Sequence, residues 1–258
     1  MGSLVKKHYA KELGKSPEEL YMISVMPCTA KKFEAGREEF TTAGTPDVDL
    51  VLTTQELARI IREAGIDYMS LPETPPDHPF GFVTGAGVIF GVTGGVSEAV
   101  LRLAYERLSA TELEETAFTE VRGYSGMRSW ELQLGQETLR LGVVHGLANA
   151  KAVLEDLKAG KVYFDLVEVM ACPGGCIGGG GQPITNVNSQ VRQERGAGLY
   201  QKDVVTPVHK SQQNREVLTI YETWLDKPGS PIAHELLHTT YRERGAQWKT
   251  PGRATGKA

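Results

Sequence analysis

All three cysteines of this 258-residue chain fall in two short loops, each following an apolar run that reads as a strand. The first loop is Met26-Pro27-Cys28-Thr29-Ala30-Lys31-Lys32, after the run Leu20 to Met26. The second follows Val162–Met170 and runs Ala171-Cys172-Pro173-Gly174-Gly175-Cys176-Ile177, then the glycines Gly178–Gly181. In open α/β sheets, sites gather beyond the carboxyl ends of parallel strands, so both loops lie where such folds place chemistry. Soft thiolates suit zinc, copper(I) or an iron–sulfur cluster. Glycines remove Cβ and permit positive φ, which lets backbone amides approach a bulky anionic group. Many N–H donors around thiolates and sulfides are what an iron–sulfur cluster needs, since hydrogen bonds to sulfur tune its potential. The bland alternative is a glycine-rich turn with incidental buried cysteines. Every cysteine on a strand-end loop, two of them inside a glycine run, argues against it.

The segments MPCTAKKFEA and EVMACPGGCIGGGGQP resemble two of the three signature segments of FeFe-hydrogenase catalytic domains. The stretch Gly81 to Arg102, GFVTGAGVIFGVTGGVSEAVLR, and the later HGLANAKAVLEDLKAGK also look like that family, and residues 190–241 are similar to its small-subunit segment. The resemblance implies a reversible hydrogenase, ferredoxin- or NAD(P)-linked, with a di-iron subcluster carrying CO, cyanide and a bridging dithiolate. One cysteine sulfur joins that unit to a 4Fe-4S cubane. It also implies an α/β fold of two lobes, each with a parallel sheet flanked by helices, with the cluster in the cleft between them and a helical C-terminal tail. The implied partners are dihydrogen and protons, an electron carrier such as ferredoxin or further iron–sulfur domains, and hydrogenase maturation factors.

Carried over by position, Cys28, Cys172 and Cys176 match cubane ligands, with Cys176 bridging to the di-iron unit. Lys31 matches the lysine that hydrogen-bonds an iron-bound cyanide; without the resemblance it reads as a solvated lysine like Lys32. Met26 and Met170 would pack against the di-iron site, or else are ordinary core methionines. Phe90 would sit near its carbonyl side. Two departures stand out. The family's upstream double-cysteine segment, source of the fourth cubane ligand and of a proton-delivering thiol, has no counterpart, and Met1-Gly2-Ser3-Leu4-Val5-Lys6 matches family wording that follows it, so a fragment is expected. Ser97 stands where methionine is common. A related non-enzymatic group, the cytosolic iron–sulfur assembly and nuclear prelamin A recognition factors, shares both cysteine motifs without the di-iron unit; residues 81–102 favour the hydrogenase.

His234-Glu235-Leu236-Leu237-His238 satisfies the H-E-x-x-H pattern of zinc proteases, but no histidine follows to complete the ligand set. Gly85-x-Gly87 is a poor dinucleotide fingerprint, because Phe90 occupies the third glycine's place.

Composition frames these residues. Hydrophobic residues make up 40%, charged residues 23%, and the net charge is -4, with no basic excess for nucleic acid. No apolar run approaches a bilayer's thickness, and the N-terminus lacks a secretory signal. Cysteines that cannot all pair point to a cytoplasmic location. Periodicity places a helix at residues 3–13, a strand at Val48–Leu52, and a helix capped by Thr53 or Thr54 with Leu57, Ile60, Ile61 and Ala64 on its apolar face. Residues 66–95 read as a long functional loop. A helix Val96 to Leu108 carries Val96, Val100 and Leu103 on one side. Strand Glu137–His145, helix Leu147–Leu157 with a Leu147/Ala150/Leu154/Leu157 stripe, and strand Val162–Met170 form a βαβ unit. Residues 1–190 are the large-subunit-like domain and 191–258 the small-subunit-like helical segment, with Arg215–Leu225 its clearest helix and a frayed tail from Lys249.

Overall fold

The computed structural model describes residues 1–109, 118, 121–134, 136–185 and 188–241. The expected frayed tail lies outside the described residues. A helical run, α1, opens the chain as Gly2–Leu4, a π turn Val5–Tyr9, and Ala10–Glu12. Glu19 reaches back to the Ser16 amide at 2.8 Å and turns the chain toward strand β1, Ile23–Met26. Helix α2, Ala30–Ala35, and the small hairpin of β2, Thr41–Thr42, and β3, Thr45–Pro46, lead to β4, Leu50–Thr53. β4 lies parallel to β1, Ile23 opposite Leu50 and Met26 opposite Thr53, so the connection between them is a crossover through α2.

Helix α3, Thr54–Glu63, starts where the sequence places it. The Thr53 hydroxyl accepts from the Glu56 amide at 3.1 Å while the Glu56 carboxylate accepts from the Thr53 amide at 2.8 Å, a reciprocal capping box. Gly65, at φ 67°, supplies the left-handed residue that stops it. Its apolar face is only partly covered, Leu57 and Ile61 being half-buried and Ile60 exposed. The long loop expected at 66–95 contains a short helix, α4, Gly85–Ile89, whose first turn is capped by the Thr84 hydroxyl.

Helix α5, Gly95–Ser109, is followed by strands β5, Met127–Leu134, and β6, Glu137–His145, then helix α6, Leu147–Lys158, and strand β7, Leu166–Met170. β6 and β7 are parallel, Leu141 opposite Leu166 and His145 opposite Met170, the second βαβ crossover. The α/β class holds, and each cysteine loop follows a strand of a parallel pair. The second sheet is nevertheless mixed, because β5 pairs antiparallel with β6 from Met127–Val144 to Leu134–Glu137. The chain ends, among the described residues, in α7, Asn188–Val205; α8, Arg215–Ile220, which runs into a π turn Tyr221–Leu225; and α9, Pro231–Leu237. Among the described residues no helix is long and apolar enough to cross a membrane.

Two helices depart from their expected faces. On α5, Val100 and Leu103 face solvent while Leu101, Ser97, Glu98 and Arg102 are fully buried. The inward face of this helix is therefore ionic, held by Asp203 on α7 and by Arg122 ahead of β5. On α6 half of the expected stripe faces inward: Ala150 is buried and Leu157 packs on the same cluster, while Leu147 and Leu154 are exposed and Val153 is buried instead. The apolar clusters are small: Leu101, Val121 and Leu141 beneath the mixed sheet, Val144, Ala150 and Val153 under α6, and Leu4 with Leu225, Ala233 and Leu236 where α1 meets the C-terminal helices.

A candidate iron–sulfur site at two strand ends

β1 and β7 each end in a methionine, and a cysteine follows two residues later: Met26 and Cys28, Met170 and Cys172. Backbone hydrogen bonds lock the two loops together. Gly181 N–H donates to Pro27 O at 3.1 Å, and Gln55 N–H, in the first turn of α3, donates to Gly181 O at 2.9 Å. A third segment, just after α4, is bonded to the second loop, with Thr93 N–H donating to Gly174 O at 3.0 Å and Ile177 N–H to Gly91 O at 3.1 Å.

Glycine is required where these backbones touch. A Cβ on Gly179 would lie 2.0 Å from Pro27 O, and one on Gly181 would lie 2.9 Å from the Cys28 nitrogen. Gly175 combines φ 89° with a Cβ position 2.8 Å from the Thr93 nitrogen, so it needs both the left-handed conformation and the bare backbone. The glycine run thus brings the cysteine loops against each other, a role its sequence does not distinguish from cradling an anion.

Cys28 and Cys172 are half-buried and Cys176 is exposed; none is paired in a disulfide. Burial pushes the Cys176 thiol up, and the Cys28 and Cys172 sulfurs raise it further, with Lys31 pulling the other way. The three sulfurs therefore share one electrostatic neighbourhood, in which adding negative charge becomes harder with each thiolate. A cationic cluster bonded to all of them removes that penalty. Among the described residues no three His, Cys, Asp or Glu side chains converge as the ligands of a single ion would. Thiolates on loops packed through bare backbone are the soft-donor chemistry an iron–sulfur cluster takes.

The other expected site residues are placed as follows. Lys31, in the first turn of α2, is 39% exposed and donates to both carboxylate oxygens of Glu34 at 2.7 Å. Lys32 donates to Val51 O and pairs with Glu56, both at 2.9 Å. Met26 and Lys31 line a cavity of about 580 Å³ over β1, walled also by Met22, Ser24, Phe40 and α9, and no cysteine lines it. Met170 is half-buried at the end of β7, and Phe90 caps α4, exposed, one residue before the Gly91 carbonyl that holds Ile177.

Sequence reasoning missed Glu168. This buried carboxylate on β7 accepts from Gly94 N–H at 2.6 Å and Ser97 N–H at 2.8 Å, capping the N-terminus of α5. Its signal was present: an acid on the same face of the strand as Leu166 and Met170, inside an otherwise apolar run. The Ser97 hydroxyl is buried without a hydrogen-bond partner among the described residues. Of the H-E-x-x-H residues, Glu235 pairs with Lys7 at 2.6 Å and the His234 and His238 ring centroids lie 4.6 Å apart, but α9 ends at Leu237 and His238 is extended, so the two histidines do not sit on one helix face.

A strand-end set of three thiols on an α/β scaffold is a candidate site for a soft metal or an iron–sulfur cluster. The family described as iron only hydrogenase large subunit, C-terminal domain, matches residues 1–180, and that described as iron hydrogenase small subunit matches residues 189–244. The chain belongs to the iron hydrogenase family. It is 46% identical over 243 residues to the NADP-reducing hydrogenase subunit HndD of Solidesulfovibrio fructosivorans, covering 94% of this chain and 41% of that one. It is 32% identical over 247 residues to a cytosolic Fe-S cluster assembly factor of Xenopus tropicalis, covering 93% of this chain and 51% of that one. A variant of the apo FeFe-hydrogenase from Chlamydomonas reinhardtii superposes with TM-score 0.78 at 37% identity, covering 93% of this chain and 67% of that one. The chain therefore spans about half or less of these curated relatives' length.

Proposed function

We propose that the chain is the cluster-holding portion of an FeFe-hydrogenase, which interconverts protons and electrons with dihydrogen. Cys28, Cys172 and Cys176 hold a 4Fe-4S cubane, and the Cys176 sulfur also joins a di-iron subcluster with CO, cyanide and a bridging dithiolate. The observation that carries this reading is the interlock of the Pro27–Cys28 and Cys172–Gly181 loops, which puts three soft donors from distant sequence in one electrostatic neighbourhood. When bound, the group supplies an open iron site for heterolytic chemistry and a cubane through which electrons leave.

The chain's own residues have more limited work. The cysteine loops fix ligand spacing. Lys31 exchanges Glu34 for an anionic ligand of the cluster, a charge-assisted hydrogen bond that gains strength as water is excluded. Met26, Met170 and Phe90 supply apolar surface around the cluster. In this reading residues 1–190 are the large-subunit domain and 191–258 the small-subunit-like segment, and the chain works in the cytoplasm with ferredoxin or further iron–sulfur domains, after loading by maturation factors.

A second reading, a non-enzymatic iron–sulfur assembly protein, draws on a specific observation: Lys31 is half-exposed and fully engaged by Glu34. Infrared spectroscopy of chain produced with the maturation factors separates the two. Bands of iron-bound CO and cyanide are expected for the hydrogenase. A cubane without those bands gives the second reading, and the absence of any cluster refutes both.

A further inference from the structure

We propose that Arg102 is a positioning residue for the Cys172–Cys176 loop, acting through the C-terminal helix α7. The inference rests on the reading that these cysteines hold an iron–sulfur cluster. Arg102 lies in the middle of α5 and is completely buried. Its Nη1 donates to Asp203 Oδ1 at 3.0 Å and to the His209 carbonyl at 2.9 Å; its Nη2 donates to Asp203 Oδ2 at 2.6 Å and to Glu98 Oε1 at 2.9 Å. One planar guanidinium thereby ties α5 to α7 and to the strand of chain that follows α7. A lysine ammonium lacks the fork to reach all of these acceptors at once.

The segment that Arg102 holds in turn grips α4. Val208 O accepts from Gly85 N–H at 2.8 Å and His209 O from Ala86 N–H at 2.9 Å. Gly85 approaches Asp203 so closely that a Cβ there would lie 1.8 Å from Oδ1. The residues just after α4 then hold the cysteine loop itself, through the Gly91 carbonyl to Ile177 and the Thr93 amide to Gly174. Those two contacts bracket Cys176. From the other side, the N-terminus of α5 is bound by Glu168 on β7, four residues before Cys172. The connections close a ring: α5 to α7, α7 to α4, α4 to the cysteine loop, the loop to β7, and β7 back to α5. Arg102 is where the ring closes: Glu98 keeps a second guanidinium, Arg122, at 2.7 Å, but without Arg102 the buried Asp203 loses the fork that ties it to α5 and keeps the longer His209 Nδ1 contact at 3.3 Å, and breaking one side of a buried ion pair is strongly destabilising. Groups behind the ligands set a cluster's retention and its spectrum.

The test uses the full chain reconstituted anaerobically with ferrous iron and sulfide, comparing Arg102→Lys, Asp203→Asn and Gly85→Ala with wild type. Asp203→Asn and Gly85→Ala strike the same ring from α7 and α4, so they decide the matter even where Arg102→Lys does not fold. Arg37→Gln is the control, because Arg37 joins the same two halves of the chain elsewhere, donating to Thr240 O at 2.9 Å. The readouts are the electron paramagnetic resonance line shape of the reduced cluster and its rate of loss to a chelator. The ring variants are expected to change the line shape and to release iron about 10-fold faster or more, with Arg37→Gln matching wild type in both. Folded ring variants whose line shape and release rate equal wild type overturn the inference while leaving the site reading intact; lowered melting temperatures alone would assign Arg102 an ordinary structural role and overturn it equally. A wild-type chain that binds no cluster overturns the site reading and the inference with it.

Discussion

The interlock of the cysteine loops makes Gly179 the most sensitive test of the site. Gly179→Ala places a methyl carbon 2.0 Å from Pro27 O and 3.0 Å from Cys176 O. An ordinary contact is about 3.5 Å, so the Pro27 carbonyl must retreat by roughly 1.5 Å or the second loop must swing away. Overpacking of this kind costs about 1–3 kcal/mol. The same carbonyl accepts the Gly181 amide at 3.1 Å, and losing that bond adds about 1 kcal/mol. A loss of roughly 2–4 kcal/mol is a large part of the ~5–15 kcal/mol that stabilises a typical protein, yet leaves a folded chain. The decisive consequence is geometric: Cys28 moves relative to Cys176 by an amount no thiolate–iron bond can absorb.

Gly180→Ala is the matched control in the same run. Its Cβ would meet only the Thr29 side chain, at 3.2 Å from Oγ1, and that hydroxyl can rotate away. Both variants are to be measured by urea denaturation of the apo chain and by iron and sulfide content after anaerobic reconstitution. Gly179→Ala should lower the urea midpoint and lose most of its iron, while Gly180→Ala should stay near wild type in both. Equal iron in the two variants would refute the argument that contact between the loops fixes the ligand spacing.

Other outcomes follow from the same geometry. Cys172→Ala/Cys176→Ala should abolish the broad visible iron–sulfur absorption, because a single remaining thiolate cannot retain a cubane; wild-type iron content in that variant would remove the metal assignment. In a longer chain that acquires the di-iron unit, Lys31→Ala should reduce its infrared bands and Lys32→Ala should spare them, and equal behaviour would take Lys31 out of the site. The Glu56 carboxyl is held down from the ordinary 4.5 to about 2, first by the Thr53 amide and then by Lys32. A depressed carboxyl stabilises the fold above its unfolded pKa and loses that contribution as pH falls toward the folded one. Acid titration of the fold between pH 4.5 and about 2 should therefore cost wild type more stability than Glu56→Gln, which keeps the capping-box geometry without the charge, and parallel titrations would show that the Glu56 charge adds nothing.

What could be read in advance divides along physical lines. The capping box at Thr53 and Glu56, the stop at Gly65 and the cysteine loops were legible because each is decided within a few residues: a side chain satisfying a nearby amide, a left-handed turn, a thiol after a strand. β5 was overlooked although Trp130-Glu131-Leu132-Gln133-Leu134 alternates apolar and polar residues as a half-buried strand does; what no local pattern shows is its antiparallel pairing with β6. The inward face of α5, and half of that of α6, differ from the apolar pattern for a related reason. Apolar periodicity assigns the inward side by hydrophobicity, and on α6 the sheet selects Ala150 and Val153, two small side chains, over the larger Leu147 and Leu154.

On α5 the failure is more instructive. Burying Glu98 and Arg102 is unfavourable unless every charge is matched, and the matching carboxylate, Asp203, lies 101 residues away on a helix that a different family description covers. No window along the sequence contains both partners, so the pattern reads as an ordinary solvated face. The same separation explains why the site was legible as chemistry but not as architecture. The three cysteines announce their ligand type locally, whereas what holds them in place, the Glu168 carboxylate beneath α5 and the Arg102 fork behind α4, is ionic, buried and assembled only by the fold. Hydrophobic burial is non-directional, so it covers a core without fixing the bearing of one loop on another. Hydrogen-bonded charges with fixed geometry do fix it, which is why the directional contacts around this site are concentrated behind the loop that carries Cys172 and Cys176.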